Sequence, residues 1–125
     1  SHAMMLSLSA NTTETAIDLQ MINGSSASET QEIPFASELN NFAEAVAQRD
    51  TTNISRTRDE LVEVAGEIVM VDAAGVAANF QRMVRIADSM GIPIDEKSVE
   101  PGADIRQELD LGRFESAQNT PSANR

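Results

Sequence analysis

Cysteine, tryptophan and tyrosine are absent from this 125-residue chain, and histidine occurs once, as His2. Without cysteine there is no disulfide framework, no thiolate nucleophile and no cysteine-based metal site. His2 falls within residues 1–4, which read as the remnant of a cleaved affinity tag, so its imidazole is set aside as well. Aromatic residues amount to four phenylalanines. A core must therefore be assembled from Val, Ile, Leu, Met and Ala, the vocabulary of helix packing rather than of a β-sandwich. The six methionines read as core filler. Positive charge is also scarce: 9 basic against 20 acidic residues give a net charge of −11. Such a surface repels phosphate backbones and anionic lipid, which argues against nucleic acid and membrane partners. No apolar run approaches the ~20 residues needed to span a bilayer. No basic segment precedes an apolar one at the N-terminus, so no signal peptide is expected and the cytoplasm is the default location.

What is present is organised around the stretch 67–93. Val69, Ala73, Val76, Phe80, Met83, Ala87 and Met90 recur at alternating spacings of four and three, which predicts an amphipathic helix. The apolar arc is wider than a coiled-coil seam, so burial against more than one element is expected. Gln81, Arg85 and Asp88 fall on the opposite face, towards solvent. Arg85 and Asp88 have the spacing of a solvated ion pair. The small residues Ala73, Ala74, Gly75, Ala77 and Ala78 leave room for a second helix to approach closely. Gly91 is placed to end the helix in a left-handed conformation, and Pro93 cannot continue it.

Upstream, residues 11–23 read as a short helix capped by Asn11 or Thr12 and stopped at Gly24, followed by a polar linker. Residues 34–49 read as a stronger helix with Pro34 in its first turn and Phe35, Leu39, Phe42, Ala43 and Val46 on its apolar face. After a polar connection over 50–55, Thr57 and Glu60 match a capping box that starts a further helix. Gly66 either ends that helix or bends it into the organising one. Downstream, 104–109 reads as one or two helical turns and 115–125 as a frayed tail. The expected architecture is all-α, a small helical bundle with one long central helix. Its expected divisions are 1–4 (tag remnant), 5–33 (short helix and linker), 34–112 (helical domain) and 113–125 (flexible tail).

The segments FAEAVAQRD (Phe42 to Asp50) and VMVDAAGVAANFQRMVRIADSMGIPID (Val69 to Asp95) resemble the carboxymuconolactone decarboxylase and alkylhydroperoxidase-D-like superfamily. The match lies in an FAEAL-type helix followed by a helix ending in Arg85-Ile86-Ala87-Asp88 and Gly91-Ile92-Pro93. It covers roughly half the chain and corresponds to the C-terminal helices of the family domain. The resemblance implies an all-α fold that forms homo-oligomers through helix packing. It also implies what is missing. Catalytic members carry a glutamate, one or two cysteines and a nearby histidine on a preceding helix, and none of those cysteine or histidine roles falls on any residue here. Thiolate peroxidase chemistry and imidazole-assisted decarboxylation are thus not expected from this chain alone.

Asp72 and Asn79 are the only polar residues near the centre line of the apolar stripe, and Arg82 follows one turn after Asn79. An acid, an amide and a guanidinium on one face suit a small polar ligand. The commoner roles are structural, with Asp72 capping or pairing and Asn79 bonding a neighbouring backbone. Asp59, Glu60, Glu63 and Glu67 suggest at most an all-oxygen metal site, but no calcium-loop spacing accompanies them and helix polarity explains them more simply. Neither a metal nor a cofactor is expected. Three functions remain, in order of preference. The first is a non-catalytic oligomerisation or interaction domain, burying Val69, Val76, Phe80 and Met83 across a homodimer or higher homo-oligomer. The second is a binder of a small polar ligand through Asp72, Asn79 and Arg82. The third is an enzyme subunit completed by a cysteine-containing partner chain.

Overall fold

The structure, a computed structural model, describes residues 2–14, 17, 19–20 and 33–120. Among the described residues every regular element is helical. Five α-helices follow in order: α1 (His2–Thr13), α2 (Ala36–Gln48), α3 (Thr51–Met90), α4 (Glu96–Val99) and α5 (Ala103–Glu108), with 3-10 turns at Leu111–Arg113 and Glu115–Asn119. The fold is all-α, with α3 as its one long central helix. The chain divides into two compact units, one formed by residues 1–26 and 86–125 and the other by residues 27–85.

In the unit of residues 27–85, two short-spaced pairs turn inward. Phe42 and Ala45, one turn apart on α2, are buried, as are Thr57 and Leu61, one turn apart on α3. Thr57 is a polar residue at 1% exposure, and its hydroxyl is satisfied by donating to the Asn53 carbonyl at 2.7 Å. That bond settles the role of Thr57. It lies inside α3 and does not cap it, and Glu60 reaches Arg56 Nη1 at 2.7 Å instead of the Thr57 backbone.

The cap lies earlier. Asp50 precedes α3, and its Oδ1 accepts from the Asn53 backbone N–H at 3.1 Å while Oδ2 accepts from Asn53 Nδ2 at 2.7 Å. These bonds, the backbone one foremost, hold the Asp50 carboxyl below its ordinary value of 3.8. A depressed folded-state value means that the ionised carboxylate favours the fold, fully above pH 3.8 and decreasingly as pH falls through the lowered folded value. Acid titration followed by circular dichroism should therefore show Asp50→Asn losing less helix than the native chain on passing below that pH.

The turn from α2 into α3 is tight. Arg49 adopts the left-handed conformation (φ 57°, ψ 32°), with its own N–H donating to the Val46 carbonyl at 3.2 Å and that of Asp50 to the Ala45 carbonyl at 3.1 Å. Glycine usually occupies this place, and arginine there costs roughly 1 kcal/mol. Phe35 is left-handed as well (φ 57°) at the start of α2, so the helix begins at Ala36, with Pro34 outside its first turn.

Two glycines shape α3. Gly66 interrupts it with φ 86° and ψ 167°, a region that only glycine occupies freely, and the chain is helical on either side. Of the two outcomes left open for Gly66, an end or a bend, the structure shows a kink between two helical arms. At the far end Gly91 (φ 63°) donates to the Asp88 carbonyl at 3.2 Å, and Ile92 donates to the Ala87 carbonyl at 3.0 Å. This is the paired-bond ending that a left-handed glycine allows.

In the other unit, the first helix differs from expectation. It runs from His2 to Thr13, so Asn11 and Thr12 lie in its last turn and cap nothing. Thr12 and Thr13 hydroxyls donate back to the carbonyls of Leu8 and Ser9. Most of residues 15–32, including the expected stop at Gly24 and the linker, lie outside the described residues. Leu19 and Leu109 are buried, and Gln20 Nε2 donates to the Glu108 carbonyl at 2.8 Å. Asp95 caps the short α4 by accepting from the Lys97 N–H at 3.2 Å. Arg106 on α5 donates to the Ser98 carbonyl at 3.2 Å and to that of Val99, which satisfies the open end of α4. Of the expected tail, residues 115–120 are described: the 3-10 turn Glu115–Asn119 is followed by Thr120, whose hydroxyl accepts from the Ile94 N–H at 2.9 Å, and residues 121–125 lie outside the described residues.

Candidate functional site

Downstream of Gly66, α3 carries every residue singled out for binding or assembly. Of the three polar candidates, two meet. Arg82 Nη2 donates to Asn79 Oδ1 at 2.9 Å, and Asn79 Nδ2 points at Met83 Sδ at 3.7 Å. Their spacings of three and four residues place them on one face one turn apart. Asp72 stands about 10 Å along the helix from Asn79, and among the described residues its side chain has no partner. All three are exposed. The structure therefore assembles an amide–guanidinium pair but not the three-residue ligand cluster.

The apolar candidates divide differently. Val69 is half-buried, while Val76, Phe80 and Met83 are exposed. Burial of this stripe within the chain, expected from its width, is not found. The half-buried face instead takes in Met70, Ala73, Ala74, Ala77 and Gln81, so Gln81 does not face solvent as the projection suggested. Arg85 reaches back to Gln81 Oε1 at 3.5 Å, not forward to Asp88.

Two residues that the periodicity argument passed over are among the most exposed hydrophobics of the protein, Ile68 at 80% and Val71 at 61%. Counted at three and four from Ile68, the positions 72, 75, 79 and 82 share its line, rotated from the stripe through Val69, and collect Asp72, Asn79 and Arg82, while Val71 lies beside that line.

The acidic side chains do not gather. Glu60 is paired with Arg56, and Asp59 with Arg58 at 2.8 Å, both in solvent, where such pairs contribute at most about 1 kcal/mol. Among the described residues no group of three or more potential ligands is placed to hold a metal ion. No helix among them is long and apolar enough to cross a membrane.

No protein-family model, curated protein or solved structure matches the chain. The functional reading thus rests on the chemistry of the α3 surface: exposed apolar side chains, the exposed small residues Gly75 and Ala78, and the polar groups of Asp72, Asn79 and Arg82.

Proposed function

We propose that this chain is a non-catalytic helical module whose role is assembly, with the part of α3 beyond Gly66 as its contact surface. The observation that carries the reading is the exposure of Ile68, Val71, Val76 and Met83 along one helix in so short a chain. Large apolar side chains grouped on a helix and left in water mark association surfaces. Small domains gain in assembly the burial that their own cores cannot supply. The complete absence of cysteine, with a single histidine at position 2, supports a role without thiolate or imidazole chemistry. The resemblance to carboxymuconolactone decarboxylase-like proteins belongs to this proposal and rests on sequence alone. It agrees in kind, since that fold assembles through helices. The ligand-binding alternative ranks below it because Asp72 stands apart from the Asn79–Arg82 pair.

Solution mass by light scattering tests the reading, run on the native chain and on Ile68→Glu. A dimer or higher oligomer is expected for the native chain. The variant should shift to monomer without loss of helicity, because Ile68 contributes almost no buried area to the isolated fold. A native chain that is monomeric at micromolar concentration overturns the proposal.

A further inference from the structure

The exposed face of α3 has a property beyond its apolarity: Asp72 and Arg82, of opposite charge, lie equally far on either side of one level of the helix. Take the level of Ala77 as a centre. Gly75 is then matched by Asn79, Asp72 by Arg82 and Val71 by Met83, each pair equidistant from that level. All six residues are exposed. The positions 68, 72, 75, 79 and 82 keep the alternation of four and three by which one face of a helix follows a partner helix.

We infer that the occupant of this face is a second copy of the same chain, laid antiparallel across a two-fold axis at the level of Ala77, with Asp72 of each copy paired to Arg82 of the other. The inference rests on the assembly reading above and fixes its geometry. Charge decides the direction. In a parallel pair at equal register, Asp72 would meet Asp72 and Arg82 would meet Arg82, leaving like charges opposed twice. Reversal turns both into ion pairs, and a two-fold interface repeats each contact by symmetry. Gly75 has no side chain, and among the described residues nothing apart from its own stretch of helix lies within 4 Å of where a Cβ would stand. A facing helix can approach there, opposite Asn79 of the second copy. Arg82 already bonds Asn79 Oδ1, but a guanidinium has five N–H donors, which leaves enough for a carboxylate. Asp72, without a partner among the described residues, gains one. Asp72, Asn79 and Arg82 would add little net stability after desolvation and would instead specify register and orientation.

The test uses the absence of any intrinsic symmetry breaker in a homodimer. Asp72→Arg and Arg82→Asp are prepared separately, each on a solvent-exposed position, and each alone opposes like charges at both ends of the seam. Mixed together, the two variants restore both ion pairs in a heterodimer. Dissociation constants are read by sedimentation, with one variant carrying a fluorescent tag. The expected result is self-association at least tenfold weaker for each single variant and recovery to the native value in the mixture. If the native chain is a dimer and the single variants match it, or the mixture fails to recover, the antiparallel register is wrong while assembly stands. If the native chain itself does not associate, the assembly reading and this inference fall together.

Discussion

Leu61→Ala is expected to lower the unfolding free energy by about 2–5 kcal/mol, the range for truncating a buried leucine. Leu61 has 0% exposure on the face of α3 that also carries the buried Thr57, one turn before it. Removal of three heavy atoms there loses their transfer free energy and leaves a void that the neighbouring backbone, fixed by the Thr57–Asn53 bond, closes only in part. Val71→Ala is the internal comparison. It removes two carbons from a side chain that is 61% exposed, and its effect on the isolated fold should stay within about 0.5 kcal/mol. Denaturant unfolding followed by circular dichroism, at a concentration where assembly does not contribute, separates the two. Equal losses for Leu61→Ala and Val71→Ala would mean that the inward and outward faces of α3 have been assigned wrongly.

Gly66→Ala should destabilise by about 1–3 kcal/mol, for a different reason. An added Cβ would meet nothing within 4 Å, so no packing is disturbed. The cost lies wholly in the backbone, because φ 86° with ψ 167° is open to glycine and closed to alanine. The same substitution in an ordinary helix interior would be stabilising by roughly 0.5–1 kcal/mol. The sign of the change therefore reports directly whether the bend exists in solution. Thermal unfolding of the variant should show a lowered midpoint. A raised midpoint would mean that the helix runs straight through Gly66, and that the bend separating its capped first arm from its exposed second arm is absent.

How legible each feature was depended on whether its cause is local. The body of α3 and its ending at Gly91 are written in a four-and-three periodicity and in a glycine followed by Ile92 and Pro93, signals confined to one or two turns. A break at Gly66 was equally legible, but whether the helix ended or bent there was not. The start of α3 was not legible in the same way, because two caps compete within eight residues. Thr57 with Glu60 matches the stronger pattern, yet Asp50 captures the Asn53 N–H first. Thr57 is then drawn inside the helix, where its hydroxyl bonds the Asn53 carbonyl and Glu60 turns to Arg56. The sequence between the two caps, Thr51 to Ser55, has a single apolar residue and so no period to betray a helix. The helix at His2–Thr13 was missed for the same lack of periodicity, compounded by setting its first turn aside as a tag remnant.

At the candidate site, the meeting of Asn79 with Arg82 follows from a spacing of three and was readable. The orientation of the stripe was not. Hydrophobic residues surround so much of α3 beyond Gly66 that more than one seam can be drawn, and periodicity alone does not say which faces inward. Ala73, Ala74 and Ala77 are half-buried together with Val69, Met70 and Gln81, whereas Ile68, Val71 and Met83 are left outside. It is these large apolar side chains in water that the assembly proposal accounts for.

The most direct test is the mass of the native chain in solution at micromolar concentration, measured by light scattering without any variant or added ligand. The account predicts a particle of two or more chains, monodisperse across a tenfold dilution. A monodisperse monomer with Ile68 and Val71 still open to solvent would contradict it.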